Sequence, residues 1–86
     1  QLPFIVGELG NGGPVQRDGN MTDLRQAQRS GTARIENAIF VETSAFARPK
    51  EESPNTTHGH HWFGNAESYF LIGDALARAT IELFEN

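Results

Sequence analysis

Cysteine is absent from this chain, so neither a disulfide nor a thiolate ligand or nucleophile is open to it. No apolar run approaches the roughly 18 residues of a membrane-spanning helix, and no signal-peptide pattern is present. Basic residues are few and scattered, seven Lys and Arg against eleven Asp and Glu, with a net charge of −4. A nucleic-acid partner needs a clustered basic face, which argues against that class. The expected partners therefore include neither nucleic acid nor membrane. The 86 residues make at most one small domain. A chain of this size buries only roughly 60–65% of its unfolded surface, so it is marginal without help. Its opening at Gln1 rather than Met suggests a mature product, a proteolytic piece or part of a longer protein.

What is present reads as alternating strands and helices. Leu2 to Val6 is a continuous apolar run, the mark of a buried parallel strand, with Pro3 tolerated near its start. Gly7 to Pro14 holds four glycines and a proline in a loop, but the spacing fits neither the phosphate-loop nor the dinucleotide fingerprint. A helix is expected from about Met21 to Ser30, capped by Asn20, stopped by Gly31, with Met21, Leu24, Ala27 and Gln28 on one face. Ala38 to Val41 is a second β-rich apolar run. Residues 44–61 form a long loop, a feature that in compact domains tends to be functional or disordered. A final helix of about 18 residues follows Asn65, its apolar positions Tyr69, Phe70, Gly73, Leu76, Ala77, Thr80, Ile81 and Phe84 recurring at helical steps. Gly73 is expected to allow close packing on a strand. Strand, helix, strand, loop, helix implies an α/β protein with a parallel sheet. Two strands and two helices cannot cover both faces of such a sheet. The chain therefore reads as part of a larger α/β domain or as one member of an intimate oligomer.

The chemistry concentrates in His58-Gly59-His60-His61-Trp62-Phe63-Gly64-Asn65, directly before the last helix. Histidine is the side chain whose ordinary pKa lies nearest neutrality, so it can take and return a proton at working pH. Glu8, at the C-terminal end of the first strand, occupies the edge where parallel sheets meet ligands. It is a candidate to orient a histidine or to bind a sugar hydroxyl. Trp62 and Phe63 suit either stacking on a sugar ring or core packing. Asp74 reads as a solvated helix residue. Asn20-Met21-Thr22 and Asn55-Thr56-Thr57 match the glycosylation acceptor pattern, which is frequent by chance.

The segments Pro3 to Gly10, Leu24-Arg25-Gln26-Ala27-Gln28, Ala38 to Val41 and Gly59-His60-His61-Trp62-Phe63 together resemble one group. It is the carbohydrate-esterase branch of the SGNH (GDSL-like) hydrolases, which includes sialate O-acetylesterases and acetylxylan esterases. The resemblance spans nearly all of the chain but only the C-terminal portion of that family's domain. It implies a flavodoxin-like three-layer α/β/α sandwich with parallel strands, residues 1–86 being the C-terminal portion of a single esterase domain. It also implies hydrolysis of O-acetyl esters on sugars or polysaccharide through a serine acyl-enzyme, with no metal or organic cofactor. The family's last block carries an Asp-x-x-His pattern, and His61 matches its general-base histidine. His58 then stands where the orienting aspartate is expected, a departure that leaves the imidazole's partner open. His60 is a structural or substrate-contacting candidate.

The family's glycine-aspartate-serine block has no counterpart here. Ser30, Ser44, Ser53 and Ser68 lie in other contexts, and Asn11 follows the wrong strand for the family's oxyanion asparagine. The nucleophilic serine must come from an N-terminal segment or a separate chain, and the 86-residue chain alone is expected to be inactive. The alternative is a non-catalytic sugar- or metal-binding fragment that oligomerises. In the metal version His58 with His60 or His61 would share an ion with a carboxylate such as Glu8 or Glu52. No compartment is assigned. Polysaccharide esterases are often exported, which is compatible with a secreted or periplasmic setting.

Overall fold

The structure, a computed structural model, describes residues 2–10, 19–57 and 59–85, the side chains at 19–21 and 59–60 excepted. Its elements in chain order are β1 (Phe4–Gly7), α1 (Gly19–Thr32), β2 (Ala38–Val41) and α2 (Ala66–Glu85). Short 3₁₀ turns at Ser44–Phe46, Lys50–Glu52 and Gly59–Gly64 connect β2 to α2. The protein is thus mixed α/β, with two helices and a two-stranded parallel sheet in the register Phe4 to Ala38 through Gly7 to Val41.

β1 starts two residues later than the apolar run does. Pro3 has no N–H to give, so Phe4 N, bonded to Asn37 O at 3.1 Å, begins the pairing. Glu8 N, 2.8 Å from Val41 O, extends it past Gly7. Asn37 turns the chain into β2 with φ of 63°, a left-handed conformation that asparagine tolerates better than most residues.

Side-chain alternation assigns the helices to the sheet. Phe40 lies under the guanidinium of Arg29 in α1, 4.8 Å from ring centroid to Cζ. Gly7 projects the opposite way from Phe40's partner Val6. A methyl on Gly7 would stand 3.6 Å from Leu76 Cδ2 of α2. The two helices therefore pack on opposite faces of the sheet.

α1 departs from its sequence reading at both ends and in its facing. It begins at Gly19, so Asn20 is inside the helix, and it runs through Gly31 to Thr32. Gly31 does not stop it because Thr32 Oγ1 donates back to Gln28 O at 2.7 Å and Ala33 N reaches Arg29 O at 3.1 Å. Leu24 and Ala27 are exposed, while Arg25, Gln28 and buried Thr32 face the sheet. The reason is hydrogen bonding. Leaving β1, the backbone at Gly7 and Leu9 needs partners, and the side chains of Arg25 and Gln28 supply them.

α2 begins as its sequence predicts. Asn65 caps it, its Oδ1 accepting from Ser68 N at 3.0 Å, with Glu67 in the first turn. Its facing is a correction. The stripe through Phe70, Gly73, Ala77, Ile81 and Phe84 points outward, and Phe70 and Phe84 are 71% and 73% exposed. A methyl on Gly73 would meet nothing within 4 Å, so no strand packs there. Leu76 of the expected set does face β1, and Ser68, Ala75 and Ala79 share the inward side with it. Among the described residues only Val41 and Ala79 are buried apolar positions. The most buried side chains, Thr43 and Ser68, are polar and bonded, Ser68 Oγ donating to Phe46 O at 2.8 Å.

Candidate functional site

Three elements converge where β1 ends. Glu8 is the first residue beyond the strand, and its Oε1 accepts from Thr43 N at 3.0 Å, Ser44 N at 2.9 Å and Ser44 Oγ at 2.7 Å. Thr43 Oγ1 in turn donates to Glu8 O at 3.0 Å. The carboxylate therefore ties the exit of β1 to the exit of β2. Burial by itself would raise its pKa. The Ser44 hydroxyl, the two backbone amides and the charge of Arg25 outweigh that and hold it below the ordinary carboxylate value. No hydrogen bond among the described residues reaches Oε2.

Leu9 is gripped by α1. Leu9 N donates to Gln28 Oε1 at 2.8 Å, Arg25 Nε donates to Leu9 O at 2.8 Å, and Gln28 Nε2 makes a longer contact of 3.4 Å to Gly7 O. The sequence places Gln28 on one face with Met21, Leu24 and Ala27 and assigns Arg25 no role of its own. The signal that could have found them is the spacing of Arg25, Gln28 and Thr32, long or hydroxylated polar side chains at three- and four-residue steps on a helix following a strand.

Gly10 carries the third contact. The indole of Trp62 lies so close that a methyl on Gly10 would overlap its ring. This close approach, and no special φ, is why the position is glycine. Trp62 thus brings the histidine turn to within two residues of Glu8 in the chain.

That turn is strained. Trp62, Phe63 and Gly64 take φ values of 56°, 53° and 66°, three successive left-handed residues of which two are bulky. Each bulky one costs about 1–2 kcal/mol. The turn persists because it is clamped. Tyr69 Oη donates to His61 O at 2.6 Å, Asn65 N to Trp62 O at 3.0 Å, and Asn55 N to Phe63 O at 2.9 Å. Asn65 Nδ2 further donates to Ser53 Oγ at 3.0 Å. His61 itself is exposed on this turn. His58 lies outside the described residues, as does the side chain of His60. The structure therefore seats Trp62 against Gly10, two residues beyond Glu8, with His61 next to Trp62 on the turn.

A cavity of about 260 Å3 opens beside Glu8, lined by Thr22, Arg25, Gln26, Arg29 and Ser44 as well. Arg29 is ion-paired with Glu42. Arg25 Nη2 is buried and has no hydrogen-bond partner. A buried donor left in that state typically costs about 1–3 kcal/mol, more when charged. Among the described residues no trio of His, Cys, Asp and Glu converges to hold a metal ion. No helix among them is long and apolar enough to cross a membrane.

Comparison with protein-family models, with curated proteins and with solved structures finds no match for this chain.

Proposed function

We propose that this chain is the C-terminal portion of an SGNH-type carbohydrate esterase, a flavodoxin-like α/β/α domain that hydrolyses O-acetyl esters on sugars. The observation that carries the reading is the clamped left-handed turn bearing His61, fastened through Trp62 to the Gly10 exit of a parallel strand. Strain of this kind clusters where a side chain must be held for function. The C-terminal edge of a parallel sheet is where α/β folds bind ligands. Three further features support it: the two helices lie on opposite sheet faces, both strands are only part-buried, and α2 keeps an apolar outer face. Each suits a sheet that continues into strands and helices from another segment.

In this mechanism His61 removes the proton from the serine of that segment as the serine attacks the acetyl carbonyl. It returns the proton to the departing sugar oxygen, then repeats the exchange with water to free acetate. The test is acetyl release from an acetylated sugar by the intact protein and by His61→Ala. Expected is a loss of at least about 10²–10⁴-fold in kcat with the fold retained. Unchanged turnover in His61→Ala rules the assignment out, whereas serine-dependent hydrolysis by the 86-residue chain alone would overturn the expectation that the nucleophile comes from another segment.

A second reading, a non-catalytic sugar-binding fragment that oligomerises, is favoured by the same exposed apolar positions, Phe4, Phe70, Ile81 and Phe84. An upstream Gly-Asp-Ser block in the parent gene separates the two, since only the esterase needs it.

A further inference from the structure

We propose that the outer face of α2 binds a second copy of this chain, the two α2 helices lying antiparallel about a two-fold axis at Ala77. The inference rests on the second reading above and deepens it, naming the surface through which the 86-residue chain oligomerises. Ala66, Phe70, Gly73, Ala77, Ile81 and Phe84 are all exposed. At 3.6 residues per turn they lie within about 40° of one line along the helix, with no charged side chain among them. This face fits itself in one direction. Phe70 and Phe84 stand at equal steps either side of Ala77, and so do Gly73 and Ile81. Turned end for end, Phe70 meets Phe84 of the second copy, the notch at Gly73 receives Ile81, and Ala77 meets Ala77. The small central residues let the helix axes approach to about 8 Å.

Charge selects the same direction independently. Asp74 and Arg78 flank this face on one side, bonded to each other at 2.8 Å with both side chains largely in solvent. In the antiparallel register Arg78 comes within about 3 Å, along the axis, of Asp74 of the second copy, and the four charges alternate in sign. A parallel pair would set Asp74 on Asp74 and Arg78 on Arg78. At each end the antiparallel register brings Glu67 beside Glu85, and Arg48, already ion-paired with Glu67, offsets that meeting. A 20-residue helix is about 30 Å long and offers less than the roughly 800 Å2 per partner of a standard interface. The dimer is therefore of the weak, concentration-dependent kind.

Sedimentation equilibrium of the 86-residue chain, from about 1 μM to 1 mM, should show single chains giving way to pairs. Ala77→Glu sets a carboxylate on the axis against its own copy and should raise the dissociation constant at least about a hundredfold. The position is exposed, so the melting temperature of the dilute, unpaired chain should not change. The lack of cysteine makes an introduced thiol a clean probe of direction. Under diamide, Ala77→Cys should link to itself, because the two Cα atoms lie within disulfide reach across the axis. Gly73→Cys lies about 12 Å along the axis from its copy, so it should not link to itself, yet it should link to Ile81→Cys in a mixture. Efficient self-linking of Gly73→Cys marks a parallel pair and overturns the proposal. A dimer indifferent to Ala77→Glu overturns the α2 surface and leaves the oligomerising reading standing. Single chains throughout, or open-ended aggregation, refute both. None of these outcomes depends on His61, so the esterase reading is judged separately by His61→Ala.

Discussion

Glu8 shows how one side chain can hold a sheet exit together. Three donors converge on a single oxygen and keep the carboxyl below its ordinary value of 4.5. The folded state therefore binds the Glu8 proton more weakly than the unfolded chain does. The stability this confers is complete above the ordinary value and is lost as pH falls through the lower folded one. Urea midpoints measured from pH 7 down to 3 should fall in acid, and Glu8→Gln should flatten that dependence while lowering stability at neutral pH. An unchanged acid slope in Glu8→Gln would assign the effect elsewhere. Trp62 and Phe63 illustrate a different residue-scale effect, because nothing in their identity announces a left-handed backbone. It is imposed by Tyr69, Asn55 and Asn65 from outside the turn.

Among the elements, α1 is held by its polar side. Arg25 and Gln28 serve the backbone leaving β1, so the helix is placed by hydrogen bonds where its few apolar residues could not place it. Its Gly31 meets nothing that a methyl would touch and sits in helical backbone. Gly31→Ala should therefore stabilise the protein by about 0.5–1 kcal/mol, read as a rise in melting temperature. A fall would mean that Gly31 serves a contact or a bend. The two strands and α2 with its Asn65 cap were legible in the sequence, because apolar runs and caps are local signals. The facing of both helices was not. α2 is apolar on more than one side, and periodicity cannot choose between sides until a partner surface exists.

For the whole molecule, the decisive quantity is how little apolar surface is buried. Val41 and Ala79 are the buried apolar positions among the described residues, while Phe70 is 71% exposed. Phe70→Ser should then change the stability of the 86-residue chain by less than about 0.5 kcal/mol. In an intact esterase domain that covers α2, the same change should cost about 3 kcal/mol or more. Denaturant midpoints of both forms make the comparison, and equal small effects would favour the free-standing fragment. By itself the sequence determined the α/β order, the two apolar strand runs and the α2 cap, all of which depend on neighbours along the chain, and the strand–helix–strand order implied that the two runs lie parallel. Only the tertiary structure decided that Arg25 and Gln28 hold the exit of β1, that Trp62 seats on Gly10, and that Glu8 and Arg25 share a cavity. Those contacts join residues far apart in the chain, and their hydrogen bonds and close approaches exist only once the strands and helices have packed.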